Sequence, residues 1–271
     1  MQKEDKIQEY ITKFNNEGYV FLKSFLSQKI KKKLKTYLAS SIKFRINNFI
    51  GKNNLKPTLF NFYKAWIRSG KLNYDRRSLL HYSVSEDFYN LVLDEELISF
   101  VRRILRTNEI YLSPVSNVRY KSSLLPWSIS RKHRDQDYWV GTEKKGKKMN
   151  FVTFWLPLTK IDKNSGSLSI YKGKKKINFS ARIGDLIVFN PYILHDADRS
   201  RIKKITSSLD IRFEEESNMT IDTSFFNVCV SSDNNNKIIS LKKFLTKKPK
   251  NSVPLINNSN PNTKSPSGLR Y

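Results

Sequence analysis

Apolar residues recur at every third or fourth position from the start of the chain. Ile7, Tyr10, Ile11 and Phe14 share one helical face, and Gly18 ends the pattern before a short extended run, Tyr19-Val20-Phe21-Leu22. Ser27 suits an N-cap, since its hydroxyl oxygen can accept a first-turn N–H. Ile30, Leu34 and Leu38 then step by four, which predicts a second helix to about Ile42 with its lysines on the wet side. A third helix is expected from near Asp94, with Leu97, Ile98, Val101, Ile104 and Leu105 on one face and an end before Asn108.

Beyond Asn108 the pattern changes. Ile110 to Leu112, Asn117 to Tyr120, Phe151 to Leu158, Leu168 to Tyr171, Leu186 to Asn190 and Ser207 to Phe213 read as strands with turn residues between them. No helix of useful length fits between Asn117 and Phe213, so this block predicts antiparallel β, as sandwich or barrel. Between about Asn53 and Tyr89, the aromatics Phe60, Phe62, Tyr63 and Trp66 either pack on one end of the β unit or shape a pocket. Packing is the preferred reading. The expected organisation is one domain over 1–246, helical to about 108 and β from 109, followed by an Asn-, Ser-, Pro- and Lys-rich tail over 247–271.

Composition adds limits. With 38% hydrophobic and 13% aromatic residues, the 271-residue chain has enough apolar surface to build a core. The net charge of +26 suggests an anionic partner such as nucleic acid. However, the excess is mostly lysine, scattered in short runs at Lys29 to Lys35, Lys144 to Lys148, Lys172 to Lys176 and Lys242 to Lys250. Compositional drift explains it better than a nucleic-acid footprint. A lone cysteine, Cys229, excludes an intramolecular disulfide and sits in a hydrophobic run, as a packing residue would. No segment reads as a signal peptide or a membrane span, so the expected location is cytoplasmic.

The candidate chemistry lies in two of the three histidines. His133-Arg134-Asp135 places a histidine and a carboxylate at i and i+2, which on a strand share a face. His195 follows about sixty residues later, beyond the turn Gly184-Asp185 and the apolar run Leu186 to Phe189. Two histidines and one carboxylate make the facial triad that leaves the far side of an octahedral Fe(II) open. His81 has no neighbour at ligand spacing and reads as structural. Asp196 and Asp198 read as loop solvation, with acceptor roles behind His195 as the other reading.

Several segments extend this pattern. Phe14-Asn15-Asn16-Glu17-Gly18-Tyr19-Val20-Phe21 with Phe25-Leu26-Ser27, Trp155 to Thr159 with Asn164 to Leu168, Gly184 to Phe189 with His195, and Ser208 to Phe213 occur in the order and spacing of one family. The chain resembles the phytanoyl-CoA dioxygenase-like branch of the Fe(II)- and 2-oxoglutarate-dependent oxygenases from about Phe14 to Phe213. That resemblance implies an α+β, mainly β fold: a double-stranded β-helix, the jelly-roll or cupin-like barrel, with N-terminal helices packed outside. It implies His133, Asp135 and His195 as metal ligands, and Fe(II), 2-oxoglutarate and O2 as cofactor and cosubstrates. Tyr138 and Trp139, which follow the ligand pair and would lie at the barrel mouth, are candidate substrate contacts, with plain packing as the equal alternative.

The chain departs from the family in two places. The family arginine for the far carboxylate of 2-oxoglutarate lies about eleven residues after the second histidine, where this chain has Thr206. Arg212 shares the strand face but lies six residues further, about 20 Å along an extended strand. Arg119 and Lys121, which share a face, are the preferred substitutes, over the loop cations Arg199, Arg201, Lys203 and Lys204. Thr206 and Ser208 would add hydroxyl hydrogen bonds, and Arg212 would face the metal end. The second departure is Tyr171-Lys172-Gly173-Lys174-Lys175, where the family often carries Pro-Gly-Ser-His.

The resulting expectation is an oxygenase that hydroxylates or otherwise oxidises a small molecule, anionic or carbohydrate-derived, working as a monomer or homodimer. Asp135 implies hydroxylation, because halogenating relatives lack that carboxylate. Two other readings remain: the same barrel acting on nucleic acid through its basic runs, and a catalytically inactive binding module.

Overall fold

A computed structural model describes residues 3–70, 85–113, 116–125, 130–138, 151–215 and 228–246. Helix α1 (Lys3–Glu17) gives way at Gly18, with φ of 75°, to strand β1 (Tyr19–Leu22). Ser27 caps α2 (Gln28–Ile50), accepting the Ile30 N–H. This helix runs past Ile42 because Ile46 remains buried, and it stops at Gly51, whose N–H returns to the Asn47 carbonyl.

The segment after Gly51 holds α3 (Leu59–Arg68) and α4 (Glu86–Val92), with residues 71–84 between them, including His81, outside the described residues. Phe62 is fully buried and its ring stacks on Tyr120 at 4.6 Å, while Phe60 stays exposed. The buried aromatics of α3 therefore cover a sheet from outside. Helix α5 (Glu95–Leu105) starts at the Asp94 cap, with acidic residues in its first turn and Arg102 and Arg103 in its last, as the helix dipole favours.

Two antiparallel sheets follow. The larger runs β1-β8-β5-β10-β2-β11, with β3 also pairing with β10; its strands are β2 (Ile110–Leu112), β3 (Asn117–Lys121), β5 (Phe151–Pro157), β8 (Leu186–Phe189), β10 (Thr206–Glu215) and β11 (Cys229–Ser231). The smaller runs β4-β9-β6-β7, from β4 (Ser130–His133), β9 (His195–Ala197), β6 (Leu168–Lys172) and β7 (Lys175–Asn178). A short α6 (Leu241–Leu245) closes the described chain, and the tail 247–271 lies outside it.

Alternation along the strands separates two interiors. Val152, Phe154, Leu156, Leu209, Ile211 and Phe213 point outward from the larger sheet into a core shared with the helices. The opposite face meets the smaller sheet, where Tyr19, Trp155, Ile187 and Phe189 pack with Leu168, Ile170 and Phe179. Among the described residues the α-helices thus pack on the outer face of the larger sheet, and the space between the sheets is left for the site. Cys229 is buried, as a packing residue should be.

Candidate metal centre

Strand β10 sets the character of the barrel interior. Its inward positions are Thr206, Ser208, Asp210 and Arg212, all buried, while its outward positions from Leu209 to Phe213 are apolar. A ten-residue strand that turns only polar and charged side chains inward is not built for packing. Its partner β3 adds Arg119 opposite Ser208 and Lys121 opposite Thr206. One half of the barrel is therefore apolar, and the other is a polar strip.

The metal-binding candidates meet at one end of that strip. His133 and His195 are register partners on β4 and β9, with ring centroids 4.3 Å apart. Their Nε2 atoms lie 3.7 and 3.8 Å from the same Asp135 oxygen, Oδ1. All three residues are buried. One donor atom from each lies within 4.8 Å of the others. His195 Nδ1 donates to the Ile193 carbonyl at 2.9 Å, which leaves the Nε2 lone pair facing the other two donors. Phe189 packs on the same ring at 4.7 Å.

Asp135 does not share a strand with His133, contrary to the expectation from their i and i+2 spacing. Strand β4 ends at His133, and Asp135 opens a single 3-10 turn, Asp135–Tyr138. The turn is joined to the β8–β9 connection by the Gln136 N–H, which donates to the Pro191 carbonyl. Its carboxylate reaches the site from a turn, so neighbouring side chains fix its direction. Thr153 Oγ1 donates to Oδ2 at 2.8 Å, Arg212 Nε donates to Oδ2 at 3.1 Å, and Arg212 Nη2 donates to Oδ1 at 3.0 Å. Burial alone would raise the Asp135 pKa, but the guanidinium of Arg212, through its charge and its hydrogen bonds, holds the carboxyl far below the usual carboxylate range.

Lys121 lies at the other end of the strip. Its ammonium donates to the Gly166 carbonyl at 2.9 Å, and no carboxylate lies within ion-pair range of it among the described residues. Burial, followed by the nearby Arg119, pushes its pKa down to about 7. Thr206 donates to the Ser165 carbonyl at 3.0 Å, so its hydroxyl proton is committed to the backbone. Between the two ends, Arg119 Nε bonds Asp210 Oδ2 at 2.7 Å.

Other sequence candidates fall elsewhere. Tyr138 is the last residue of the turn after Asp135, and Trp139 lies outside the described residues. Asp196 faces away from the metal ligands and is buried, not solvated: Tyr171 and Lys176 donate to its Oδ2. Lys176 also bonds Asp198, which fastens β7 to the loop after β9. Sequence reasoning did not single out Thr153 or Asp210. Their signal was available in the alternation of β5 and β10, where a polar residue at an inward position marks the cavity.

The two sheets, with the triad between them, form a double-stranded β-helix, the fold of non-haem iron and 2-oxoglutarate-dependent enzymes. Solved structures share it. The non-haem monooxygenase ThoJ in complex with Ni superposes with a TM-score of 0.58 at 12% identity, over 90% of this chain and 89% of that one. EctD from S. alaskensis with bound Fe gives 0.57 at 14%, over 80% and 78%. The non-haem, alpha-ketoglutarate-dependent epimerase SnoN from nogalamycin biosynthesis gives 0.55 at 12%, over 79% and 84%. No protein-family model and no curated protein matches the sequence.

Proposed function

We propose that this chain is a mononuclear non-haem Fe(II)- and 2-oxoglutarate-dependent oxygenase that hydroxylates or otherwise oxidises a small molecule. The observation that carries the reading is the convergence of His133 Nε2, His195 Nε2 and Asp135 Oδ1 inside a double-stranded β-helix. This donor set suits the metal: two neutral imidazoles and one ionised carboxylate on one face. When bound, iron with 2-oxoglutarate supplies oxygen activation coupled to decarboxylation of the cosubstrate.

The residues of this chain have separate tasks. His133, Asp135 and His195 hold the ion. Lys121 receives the far carboxylate of 2-oxoglutarate, because it is a buried cation on the strip whose ammonium has only a carbonyl as partner among the described residues. Thr206, Ser208 and Arg119 flank that carboxylate path, and Arg212 stands at its metal end. Ile170, Phe189 and Trp155 form the apolar wall that keeps water from the ligands. Tyr138 and Trp139 remain the candidate substrate contacts. The substrate class that the family resemblance favours is a sugar or sugar-derived metabolite.

The test is succinate formation from 2-oxoglutarate with added Fe(II), comparing wild type with His133→Ala. Turnover in the wild type that the variant lacks is the expected result. Absence of both turnover and metal uptake in the wild type would leave a binding module.

A further inference from the structure

Asp135 poses a mechanical question. Its backbone belongs to a 3-10 turn beyond the end of β4, while the two histidines are held by a strand pair. A carboxylate on such a turn is free to offer one oxygen or both to a cation. Here both oxygens are engaged, and unequally. Oδ2 accepts from Thr153 Oγ1 and Arg212 Nε, at 2.8 and 3.1 Å, whereas each histidine Nε2 approaches the other oxygen. Oδ1 faces both histidine Nε2 atoms and accepts from Arg212 Nη2 at 3.0 Å.

The two donors are themselves paired. Thr153 on β5 and Arg212 on β10 are direct register partners, so their side chains leave the larger sheet side by side. The sheet thus presents a fork and a hydroxyl at a fixed spacing, and the carboxylate from the turn docks into them. Arg212 and Asp135 are both buried, with side chains 7% and 1% exposed, so water does not compete for these bonds.

We propose that the Thr153–Arg212 pair is a positioning device for the metal ligand Asp135: it occupies Oδ2 and presents Oδ1 as the one oxygen donor to a divalent cation. With the lone pairs of Oδ2 taken by two donors, chelation through both oxygens is closed, and a position on the ion is kept for cosubstrate. The proposal rests on the metal-site reading above but not on 2-oxoglutarate.

Charge and positioning predict opposite outcomes, which makes the idea testable. Arg212 is a cation beside a cation site, so on charge alone its removal tightens divalent-ion binding. As a positioning residue, its removal weakens binding, by the roughly 10–100-fold usual for partners that orient metal ligands. The measurement is Mn(II) affinity of the full chain by electron paramagnetic resonance, repeated with Ni(II) by calorimetry. Arg212→Gln is expected to bind about 10–100-fold more weakly. Arg212→Lys and Thr153→Val should fall between it and wild type, and millimolar guanidinium should return affinity to Arg212→Ala.

Equal or tighter binding by folded Arg212→Gln overturns the proposal, as does a loss in Arg212→Ala that guanidinium leaves untouched. A wild-type chain that takes up no Mn(II) instead overturns the metal-site reading itself. If Arg212→Gln does not fold, Arg212→Lys and Thr153→Val carry the same comparison, and wild-type affinity in both counts against the device.

Discussion

Thr206 and Lys121 face one another across the β10–β3 ladder. The position where the family resemblance expects an arginine thus holds a hydroxyl, and a buried lysine stands beside it on the next strand. Consecutive residues of one turn tie down both: the Ser165 carbonyl takes the Thr206 hydroxyl and the Gly166 carbonyl takes the Lys121 ammonium. A charge moved to the neighbouring strand at the same level remains in the same part of the barrel.

That exchange can be reversed. In the role proposed for Lys121, Lys121→Met would remove a charge-assisted hydrogen bond to the cosubstrate, worth about 1.5–3 kcal/mol, so KM for 2-oxoglutarate should rise about 10–100-fold. Adding Thr206→Arg to Lys121→Met should recover most of it in the succinate assay. An unchanged KM in Lys121→Met would remove Lys121 from the cosubstrate site.

The same lysine gives a pH signature. Burial and the neighbouring Arg119 bring its pKa down to about 7, and only the protonated form attracts a carboxylate. KM for 2-oxoglutarate should be lowest below pH 7 and climb as pH rises, with a limiting slope of about tenfold per unit. Stability should move the other way. The unfolded chain keeps this proton up to the ordinary lysine value of 10.5 while the folded chain releases it near 7, so stability should increase with pH across that window. Urea midpoints of wild type against Lys121→Met across that range would show the slope, and equal slopes would refute it.

Much of this was legible in residue order. Ser27, Gly18 and Asp94 announced helix and strand boundaries because caps and left-handed turns are local chemistry. The strands β5, β8 and β10 were visible, β5 and β10 because apolar stretches and alternation repeat within them and β8 because all four of its residues are apolar. The short strands β4, β7, β9 and β11 were not, since three or four residues without an unbroken apolar run carry too little period, and β7 is a lysine-rich edge. At the site, His133, Asp135 and His195 stood out as rare residue types in a suggestive order. The bond between Arg212 and Asp135 joins residues 77 apart through sheet register, which no local pattern encodes.

Gly166 offers an independent check on the strip. Its φ is +82°, and a Cβ there would lie 2.9 Å from Lys121 Cδ and 2.8 Å from the Asp198 carbonyl oxygen. Gly166→Ala should therefore both strain the turn and push the lysine stem aside. The expected outcome is a loss of about 1–3 kcal/mol in stability together with a raised KM for 2-oxoglutarate. A stable variant with unaltered KM would mean that Lys121 does not depend on this turn for its position.

Asp210 and Arg119 supply the last prediction. Asp210 is buried, its Oδ2 takes Arg119 Nε at 2.7 Å, and its Oδ1 has no partner among the described residues. Arg119→Met would leave that carboxylate in the barrel without its charged donor. Because the Arg119 side chain is 31% exposed, solvent softens the loss, and about 1–3 kcal/mol of destabilisation is expected in place of the about 3–5 kcal/mol of a fully buried pair. Asp210→Asn in the same background removes the orphaned charge and should return part of the stability. Urea unfolding of the two single variants and the double variant in a mutant cycle measures the coupling. Additive losses would mean that the pair contributes no mutual stabilisation and that Asp210 is kept ionised by other groups on the strip.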